Sequence, residues 1–440
     1  MLTGSDFAVE ELGERGVLSP LRKGQEATDA GIQFVPEGTR IPLNAEIQPG
    51  REFRPDLSFE RAGPRERLYF SPAGASAAIV TCGGLCPGLN NVIRAIVMQL
   101  YHGYGVHRVW GIRYGYRGLT EAMDSEPMAL TPELVSDIHE QGGTILGTSR
   151  GPADPGEVVE FLRKRDVGIL FTIGGDGTQR GALGLHQEAR RQGYPLAVIG
   201  VPKTIDNDIP YVWSTFGFST AIEKARQILD SAHNEARGVR NGIGLVKLMG
   251  REAGFIAAAA TLASGEVNYT LVPEVPFDLE GTGGFLNCLH ERLRERGHAV
   301  VAVAEGAGQQ FCEAQARQVD RSGNVKLGDI GAVLCERIRG YSKATGFPME
   351  LKYFDPSYYI RSSPANTHDA IFCDQLARNA VHAAMAGKTG ILIGLWYNMM
   401  THVPISLASS TKKRVSERSD LWQAVLKATG QPPRFAAAKV

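Results

Sequence analysis

Short runs of aliphatic residues alternate with segments of helical periodicity from residue 77 onward. The candidate strands cover 77–81, 107–112, 168–173, 195–201, 243–249, 299–306 and 389–396. Most of them end at glycine, and apolar residues recur at helical spacing between them, as in 91–105, 179–191 and 219–238. Continuous apolar runs, as opposed to alternating ones, are typical of parallel strands covered on both faces. The pattern therefore predicts an α/β fold.

The number of candidate strands exceeds what one sheet comfortably holds. We therefore predict two doubly wound, mostly parallel-sheet lobes, with the active site in the cleft between them. Residues 1–75 mix charged residues with several prolines and show weak periodicity, which predicts an extension of the main body. Ligands of doubly wound sheets bind beyond the C-terminal ends of the strands, so the glycine turns at these ends are the candidate sites.

Composition and charge exclude several classes of function. The 440 residues include 47 Lys plus Arg and 47 Asp plus Glu, so the chain has no net charge with which to bind nucleic acid or an anionic membrane. No run approaches the ~20 apolar residues of a membrane span, and the N-terminus lacks the apolar stretch of a secretory signal. Six scattered cysteines fit a reducing compartment, so we expect a cytoplasmic protein.

Two glycine turns follow candidate strands. In the first, Gly83-Gly84-Leu85-Cys86-Pro87-Gly88, backbone N–H groups converge at a predicted helix N-terminus, which suits a phosphate, although close packing explains a lone turn equally well. In the second, 174–178, Asp176 lies among glycines. Its carboxylate could serve Mg²⁺ beside a polyphosphate, or it could simply cap the next helix. Two such turns in one sheet favour phosphate binding.

A third polar segment, Pro202-Lys203-Thr204-Ile205-Asp206-Asn207-Asp208, directly follows a buried strand. Carboxylates and a lysine beside an apolar core are costly unless they have a function, so a functional role is favoured here. Either aspartate could act as the general base for a hydroxyl group in phosphoryl transfer.

Further charged residues also follow predicted strands. Arg251 and Glu305 end two of them, and Arg361 follows Tyr358 later in the chain. The guanidinium fork matches phosphate, and a carboxylate can accept hydrogen bonds from sugar hydroxyls. Together they predict a site for a phosphorylated polyol. The segment Gly387-Lys388-Thr389 mimics a Walker A loop but lacks its first glycine, and the basic run 411–414 is expected to be solvated.

Six motifs occur in a fixed order: GGLCPGLN (83–90), GGDGT (174–178), PKTIDND (202–208), KLMGR (247–251), AEG (304–306) and YYIR (358–361). As a set spanning 77–405 they resemble the 6-phosphofructokinase family. The residues of these motifs resemble most those of the ATP-using enzymes of plants, trypanosomatids and some bacteria. This branch of the family groups with pyrophosphate-using relatives. The resemblance implies that MgATP phosphorylates the 1-hydroxyl of fructose 6-phosphate in glycolysis.

The resemblance also implies residue roles. Asp206 would remove the hydroxyl proton, with Thr204, Asp208 and Arg251 completing the catalytic set, and Asp176 would serve Mg²⁺. The residues implied for ATP are Gly83, Gly84, Arg150, Gly175, Asp176, Gly177, Thr178 and Lys203. Those implied for fructose 6-phosphate are Thr204, Ile205, Asp206, Met249, Gly250, Arg251, Glu305, Lys352, Tyr358 and Arg361. Lys352 occupies the place of an arginine that reaches across a subunit interface in bacterial relatives.

Two positions disagree about the phosphoryl donor. Position 177 is glycine where pyrophosphate enzymes carry an aspartate, and position 203 is a lysine that those enzymes share. A carboxylate facing a nucleotide α-phosphate in a low-dielectric site is strongly unfavourable, whereas an added lysine repels no phosphate. ATP is therefore the predicted donor, pyrophosphate is the alternative, and a non-catalytic regulatory subunit is a third hypothesis.

The resemblance further implies assembly and domain roles. A homotetramer subject to allosteric control is expected, although only Arg94 of the bacterial effector arginines has a match. The expected domains are an N-terminal extension (1–75), a nucleotide-binding lobe (76–216 plus 362–400), a fructose 6-phosphate lobe (217–361) and a C-terminal tail (401–440). Nucleic acid and membrane are not expected partners.

Overall fold

The structure is a computed structural model that describes residues 2–24, 32–47, 49–50, 52–120, 126–151, 153–312 and 326–436. Those described residues form two compact units. Unit 1 comprises Met1–Thr204, Ile209–Gly217 and Ser363–Lys412. Unit 2 comprises Ile205–Asp208, Phe218–Ser362 and Lys413–Val440.

Strands and helices alternate along most of the chain. The strands are β1 (Glu10–Glu11), β2 (Val17–Leu18), β3 (Arg40–Pro42), β4 (Ser58–Arg61), β5 (Arg67–Leu68), β6 (Ser76–Thr81), β7 (Arg108–Ile112), β8 (Met128–Ala129), β9 (Ile169–Gly174), β10 (Ala197–Pro202), β11 (Gly242–Leu248), β12 (Tyr269–Leu271), β13 (His298–Ala304), β14 (Glu350–Phe354), β15 (Lys388–Thr389), β16 (Ile391–Trp396) and β17 (Met399–Pro404). The helices are α1 (Leu89–Met98), α2 (Pro155–Lys164), α3 (Asp176–Arg191), α4 (Phe218–Arg237), α5 (Phe255–Ser264), α6 (Phe285–Arg296), α7 (Ile330–Thr345), α8 (Ser357–Ser362), α9 (Thr367–Met385), α10 (Ile405–Ala408) and α11 (Asp420–Thr429).

Unit 1 is built on one large sheet. Among the described residues it has nine strands in the order β3-β4-β17-β16-β10-β9-β6-β7-β8. The central strands β16, β10, β9, β6 and β7 run parallel, and the strands outside them pair antiparallel. Every residue of β6, β9 and β10 is buried, which explains why their sequences are continuously apolar.

The segment before residue 76 adds to this sheet. Strand β4 pairs with β17, and β3 pairs with β4, both antiparallel. Phe59 of β4 is fully buried and packs edge-on against Phe7 and Trp396, with ring centroids 5.0 and 5.7 Å away. This part of the N-terminal segment is therefore integral to unit 1.

Unit 2 has a smaller sheet of four parallel strands in its described residues, in the order β12-β13-β11-β14. Leu245 and Val301 from its central strands pack with Phe285 of α6 and Leu334 of α7 in one apolar core. Helix α4 packs on α5, and the C-terminal helix α11 packs against α5 and β12. The expected C-terminal tail 401–440 is thus divided between β17 and α10 in unit 1 and α11 in unit 2.

The predicted α/β class is confirmed, with a mostly parallel sheet in each unit. The candidate strands form with ends shifted by at most two residues, except that 389–396 is divided at Gly390 into β15 and β16, which belong to different sheets. The predicted helices at 179–191 and 219–238 correspond to α3 and α4, and α3 begins three residues earlier, at Asp176, directly after its N-cap residue Gly175.

Candidate functional site

In unit 1, the first glycine turn joins β6 to α1. Gly83 has φ 87° and Gly88, which precedes α1, has φ 102°, both in the left-handed region that favours glycine. A Cβ on Gly88 would lie 2.6 Å from the Cys373 sulfur and 3.0 Å from the Phe216 ring. The turn therefore approaches its neighbours closely and presents backbone to the α1 N-terminus, where an anion binds well.

Hydrogen bonds fix this turn to neighbouring segments. The Gly83 N–H donates to the Ser149 carbonyl at 3.0 Å, and the Thr148 hydroxyl donates to the Gly83 carbonyl at 2.6 Å. The buried Lys203 ammonium donates to the Gly84 carbonyl at 2.6 Å. Ser149 is thus hydrogen-bonded to the turn, and the next residue is Arg150, the exposed arginine expected to bind ATP.

Lys203 also connects the first turn to the second. Its own N–H donates to the Gly174 carbonyl at 3.0 Å, and its carbonyl lies 3.2 Å from where a Cβ on Gly175 would be. The structure thus brings Gly83, Gly84, Gly175 and Lys203 together within unit 1. Thr204, which ends this stretch, accepts a 2.6 Å hydrogen bond from Thr215 through its carbonyl.

Asp176 is the first residue of α3. Its side chain is only 16% exposed, and one carboxylate oxygen lies 2.7 Å from the Arg180 guanidinium and 3.1 Å from the Lys412 ammonium. Within the ranges that the structure describes, no three His, Cys, Asp or Glu side chains form a metal cluster. A single carboxylate still suits Mg²⁺, because this ion commonly takes one or two protein carboxylates and completes its shell with water and phosphate oxygens.

The next residues leave open space. A Cβ on Gly177 would meet no heavy atom within 4 Å. The carbonyl of Thr178, by contrast, accepts a 2.7 Å hydrogen bond from the buried Tyr116 hydroxyl, which fixes the first turn of α3. A small side chain at position 177 would therefore fit without any movement of its neighbours.

In unit 2, residues 205–208 and the end of β11 come together. The Arg251 N–H donates to the Asp206 carboxylate at 3.4 Å, and Ile205 and Met249 are buried beside them. Gly250 has φ 129°, and a Cβ there would lie 2.6 Å from the Ala253 carbonyl oxygen. Glycine at 250 is thus required for the turn that directs the Arg251 backbone towards Asp206.

Glu305 follows β13, next to the same turn. Its N–H donates to the Leu248 carbonyl at 2.8 Å. Burial raises the pKa of Glu305, and the positive charges of Arg251 and Arg361 act in the opposite direction. The site thus combines a carboxyl group with two guanidinium groups, which can bind sugar hydroxyls and a phosphate respectively.

Lys352 and Tyr358 differ from the other expected sugar residues. Lys352 is exposed on β14, opposite Gly244, and in the described residues it lines a 640 Å³ pocket with Ser231 and Asn234 of α4. Tyr358 is 79% exposed and stacks on the Arg361 guanidinium 4.7 Å away. Both side chains are therefore largely accessible to solvent.

The comparison with known families decides which family this arrangement represents. The family model for phosphofructokinase matches residues 76–384, which include every motif from the first glycine turn to Arg361. The chain belongs to the phosphofructokinase family.

Named relatives of this phosphofructokinase cover almost the whole chain. It is 45% identical over 434 residues to the ATP-dependent 6-phosphofructokinase of Borreliella burgdorferi, covering 97% of each chain. It is 47% identical over 376 residues to the ATP-dependent 6-phosphofructokinase of Trypanosoma brucei brucei, covering 85% of this chain and 76% of the relative. The predicted resemblance to the trypanosomatid-like branch is thereby confirmed.

A solved structure shares the phosphofructokinase fold. The crystal structure of a pyrophosphate-dependent phosphofructokinase from Marinobacter aquaeolei superposes with a TM-score of 0.64 at 22% identity, covering 83% of this chain and 92% of that one. At this identity the likeness concerns the fold alone.

Sequence reasoning missed two lysines of this phosphofructokinase. The basic run 411–414 was expected to be solvated, and this is wrong for Lys412, whose side chain is 28% exposed and pairs with Asp176. No local pattern links residues so far apart in sequence. The Lys247 ammonium group forms ion pairs with Asp329 and Asp355 at 3.0 and 2.9 Å. The sequence offered one indication of this, because a lysine inside an apolar strand needs a partner.

The Walker-like segment is confirmed as a false match. Lys388 is 1% exposed and pairs with Glu11 and Glu60 at 2.5 and 2.9 Å, so its charge is already compensated inside unit 1. No helix among the described residues is both long and apolar enough to span a membrane.

Proposed function

We propose that this phosphofructokinase transfers the γ-phosphoryl group of ATP to the 1-hydroxyl of fructose 6-phosphate, giving fructose 1,6-bisphosphate in glycolysis. The observation that carries the choice of donor is the open space at Gly177, one residue after Asp176. A nucleotide carries an α-phosphate that pyrophosphate lacks, and the absence of a carboxylate at 177 removes the repulsion it would meet.

Unit 1 is proposed to bind MgATP. Its glycine turns offer backbone N–H groups, and Arg150 and Lys203 supply positive charge for the phosphates. Asp176 would hold Mg²⁺, which when bound neutralises charge on the phosphate oxygens. Gly83, Gly84, Gly175, Gly177 and Thr178 would line the nucleotide side of the site.

Unit 2 is proposed to bind fructose 6-phosphate and to supply the base. Asp206 takes the proton from the 1-hydroxyl as the oxygen attacks the γ-phosphorus, while Arg251 stabilises charge that develops during transfer. Asp208 and Thr204, the last residue of the unit 1 segment before Ile205, orient the reacting groups. Met249, Gly250, Glu305, Tyr358 and Arg361 complete the sugar-phosphate site.

Lys352 is proposed to act on a neighbouring subunit of a homotetramer. Two features support this: Lys352 is exposed on β14, the edge strand of the unit 2 sheet, and the pocket that it lines is formed by residues of α4 and β14. A cytoplasmic location and allosteric control are part of the same proposal.

Pyrophosphate is the second candidate donor. It is favoured by Lys203, which is buried against the first glycine turn and can neutralise a pyrophosphate without a nucleotide. The deciding experiment measures fructose 6-phosphate-dependent turnover of the purified chain with MgATP and with magnesium pyrophosphate in parallel. ATP turnover with little pyrophosphate turnover supports the proposal; the reverse result overturns the choice of donor, and turnover with neither favours a regulatory subunit.

A further inference from the structure

Lys412 lies outside every motif that suggested the function, yet it contacts a residue of the proposed ATP site. Its ammonium group is 3.1 Å from the Asp176 carboxylate, and the two side chains are 28% and 16% exposed. An ion pair with so little exposure is weakly screened by solvent. Unlike a solvent-exposed surface ion pair, this contact therefore affects the charge balance at Asp176.

Asp176 already has a second cation. The Arg180 guanidinium lies 2.7 Å from the same oxygen, one helical turn further along α3, and its side chain is 54% exposed. Arg180 can therefore turn towards solvent at little cost when the carboxylate gains another ligand. Lys412 is more enclosed, so its ammonium group stays close to the site.

The backbone before Lys412 is held in place. The Ser410 N–H and hydroxyl both donate to the Leu407 carbonyl of α10, at 3.2 and 2.7 Å, and the Ser409 N–H donates to the Ile405 carbonyl at 2.9 Å. Helix α10 itself contacts α3, the helix that begins with Asp176. The Lys412 stem therefore starts from a fixed point beside α3, and only its flexible four-carbon chain can move.

We propose that Lys412 is a further ATP-binding residue, which neutralises Asp176 in the free enzyme and binds the polyphosphate of ATP once Mg²⁺ takes its place at Asp176. This inference rests on the proposed function. The Asp176 oxygen that Lys412 contacts is the one that would hold Mg²⁺, and the double positive charge of that ion would repel the ammonium group, so the lysine would give up this oxygen. The same event brings phosphate oxygens to within reach of the lysine, and these form strong charge-assisted hydrogen bonds.

Binding measurements on the full-length chain test the inference. We expect Lys412→Met to weaken MgATP binding about tenfold by titration calorimetry, since one charge-assisted hydrogen bond is lost. Its affinity for adenosine, which lacks phosphates, and for fructose 6-phosphate should equal the wild-type values. Lys412→Arg should restore most of the MgATP affinity.

Arg414→Met is the matched control. It removes a positive charge from the same basic run, but Arg414 is 59% exposed and pairs with Glu252, so MgATP affinity should not change. Wild-type MgATP affinity in Lys412→Met would overturn the inference. So would equal losses for MgATP and adenosine, or the same loss in Arg414→Met, because either would indicate general distortion. If the wild type itself fails to phosphorylate fructose 6-phosphate with MgATP, the proposed function fails independently of these variants.

Discussion

At the scale of single residues, the proposed choice of ATP as phosphoryl donor depends on glycine at position 177. Gly177 lies in the first turn of α3, directly after Asp176, and a Cβ there would meet nothing within 4 Å. An added side chain would therefore be tolerated sterically, and its charge would decide its effect. An acidic residue in the first turn also interacts favourably with the helix dipole, so folding should not suffer.

We expect Gly177→Asp to raise the KM for ATP about 100-fold, because its carboxylate would repel the nucleotide phosphates in a poorly solvated site. The KM for fructose 6-phosphate should stay close to the wild-type value. Gly177→Ala fills the same space without charge and serves as the control, and it should retain ATP kinetics. Equal effects of Ala and Asp would mean that crowding, not charge, decides the donor.

The residues of the site differ in how far the sequence could reveal them. Asp206 and Arg251 lie within ordered motifs directly after buried strands, so they could be found in advance. Lys412 could not, because its partner Asp176 is distant in sequence and a basic run near a terminus is usually solvated. Lys247 is intermediate, since its position in an apolar strand was visible but its partners Asp329 and Asp355 were not.

At the scale of elements, a buried polar cluster around Glu60 joins β4 of the N-terminal segment to β15 and β17 of unit 1. Glu60 of β4 accepts from Lys388 of β15 at 2.9 Å and lies 3.1 Å from His402 of β17. Burial raises the pKa of Glu60, but its contacts with His402 and Lys388 outweigh that effect and hold the pKa well below its usual value. Removing one partner from such a cluster leaves an uncompensated buried charge.

Nearby, helix α9 carries a histidine that should make stability depend on pH. Burial lowers the pKa of His382 from 6.5 to about 3, and its Nδ1 is 2.7 Å from the Tyr104 hydroxyl. Below pH 6.5 the unfolded chain binds a proton at this residue while the folded chain does not. Stability therefore falls as the pH drops from about 6.5 towards 3.

We expect His382→Gln to make the thermal midpoint less sensitive to pH between 6.5 and 4, measured by calorimetry, although the variant is less stable at pH 7. The exposed His368, on the same helix, provides the control, and His368→Gln should keep the wild-type slope. An unchanged slope in His382→Gln would show that this buried histidine does not govern acid sensitivity.

The edge strands β12 and β14 of the unit 2 sheet were not among the candidate strands, and β14 is mostly exposed. The inner strands β6, β9, β10, β11 and β13 were predictable because they are almost entirely buried and therefore continuously apolar. Strands β3 and β4 were not, since Ser58–Arg61 contains polar residues and its pairing with β17 joins segments far apart in sequence. Such pairing depends on tertiary contacts such as the Phe59 cluster, which no local pattern reports.

At the scale of the whole molecule, the proposal implies that one chain does not contain a complete sugar site. Lys352 is exposed on an edge strand, and an edge strand offers unpaired backbone groups as well as side chains to a partner. In a homotetramer, Lys352 would bind the fructose 6-phosphate held by a neighbouring subunit. The expected mass in solution is four times the 47.5 kDa of one chain.

We expect Lys352→Met to raise the KM for fructose 6-phosphate about tenfold through loss of a charge-assisted contact, with kcat nearly unchanged. Lys343→Met, which removes an exposed charge from α7, is the control and should behave as wild type. Analytical ultracentrifugation establishes whether each variant keeps the wild-type mass. A wild-type KM in a tetrameric Lys352→Met enzyme would remove this residue from the sugar site.

The central claim is that Asp206 removes the proton from the sugar hydroxyl during transfer from ATP. Steady-state kinetics of Asp206→Asn tests it most directly, because asparagine keeps the shape and can still accept from the Arg251 N–H but cannot take a proton. The predicted result is a fall in kcat of about 10²- to 10⁴-fold, with the KM for fructose 6-phosphate within a few-fold of the wild type. A kcat close to the wild-type value would contradict the account.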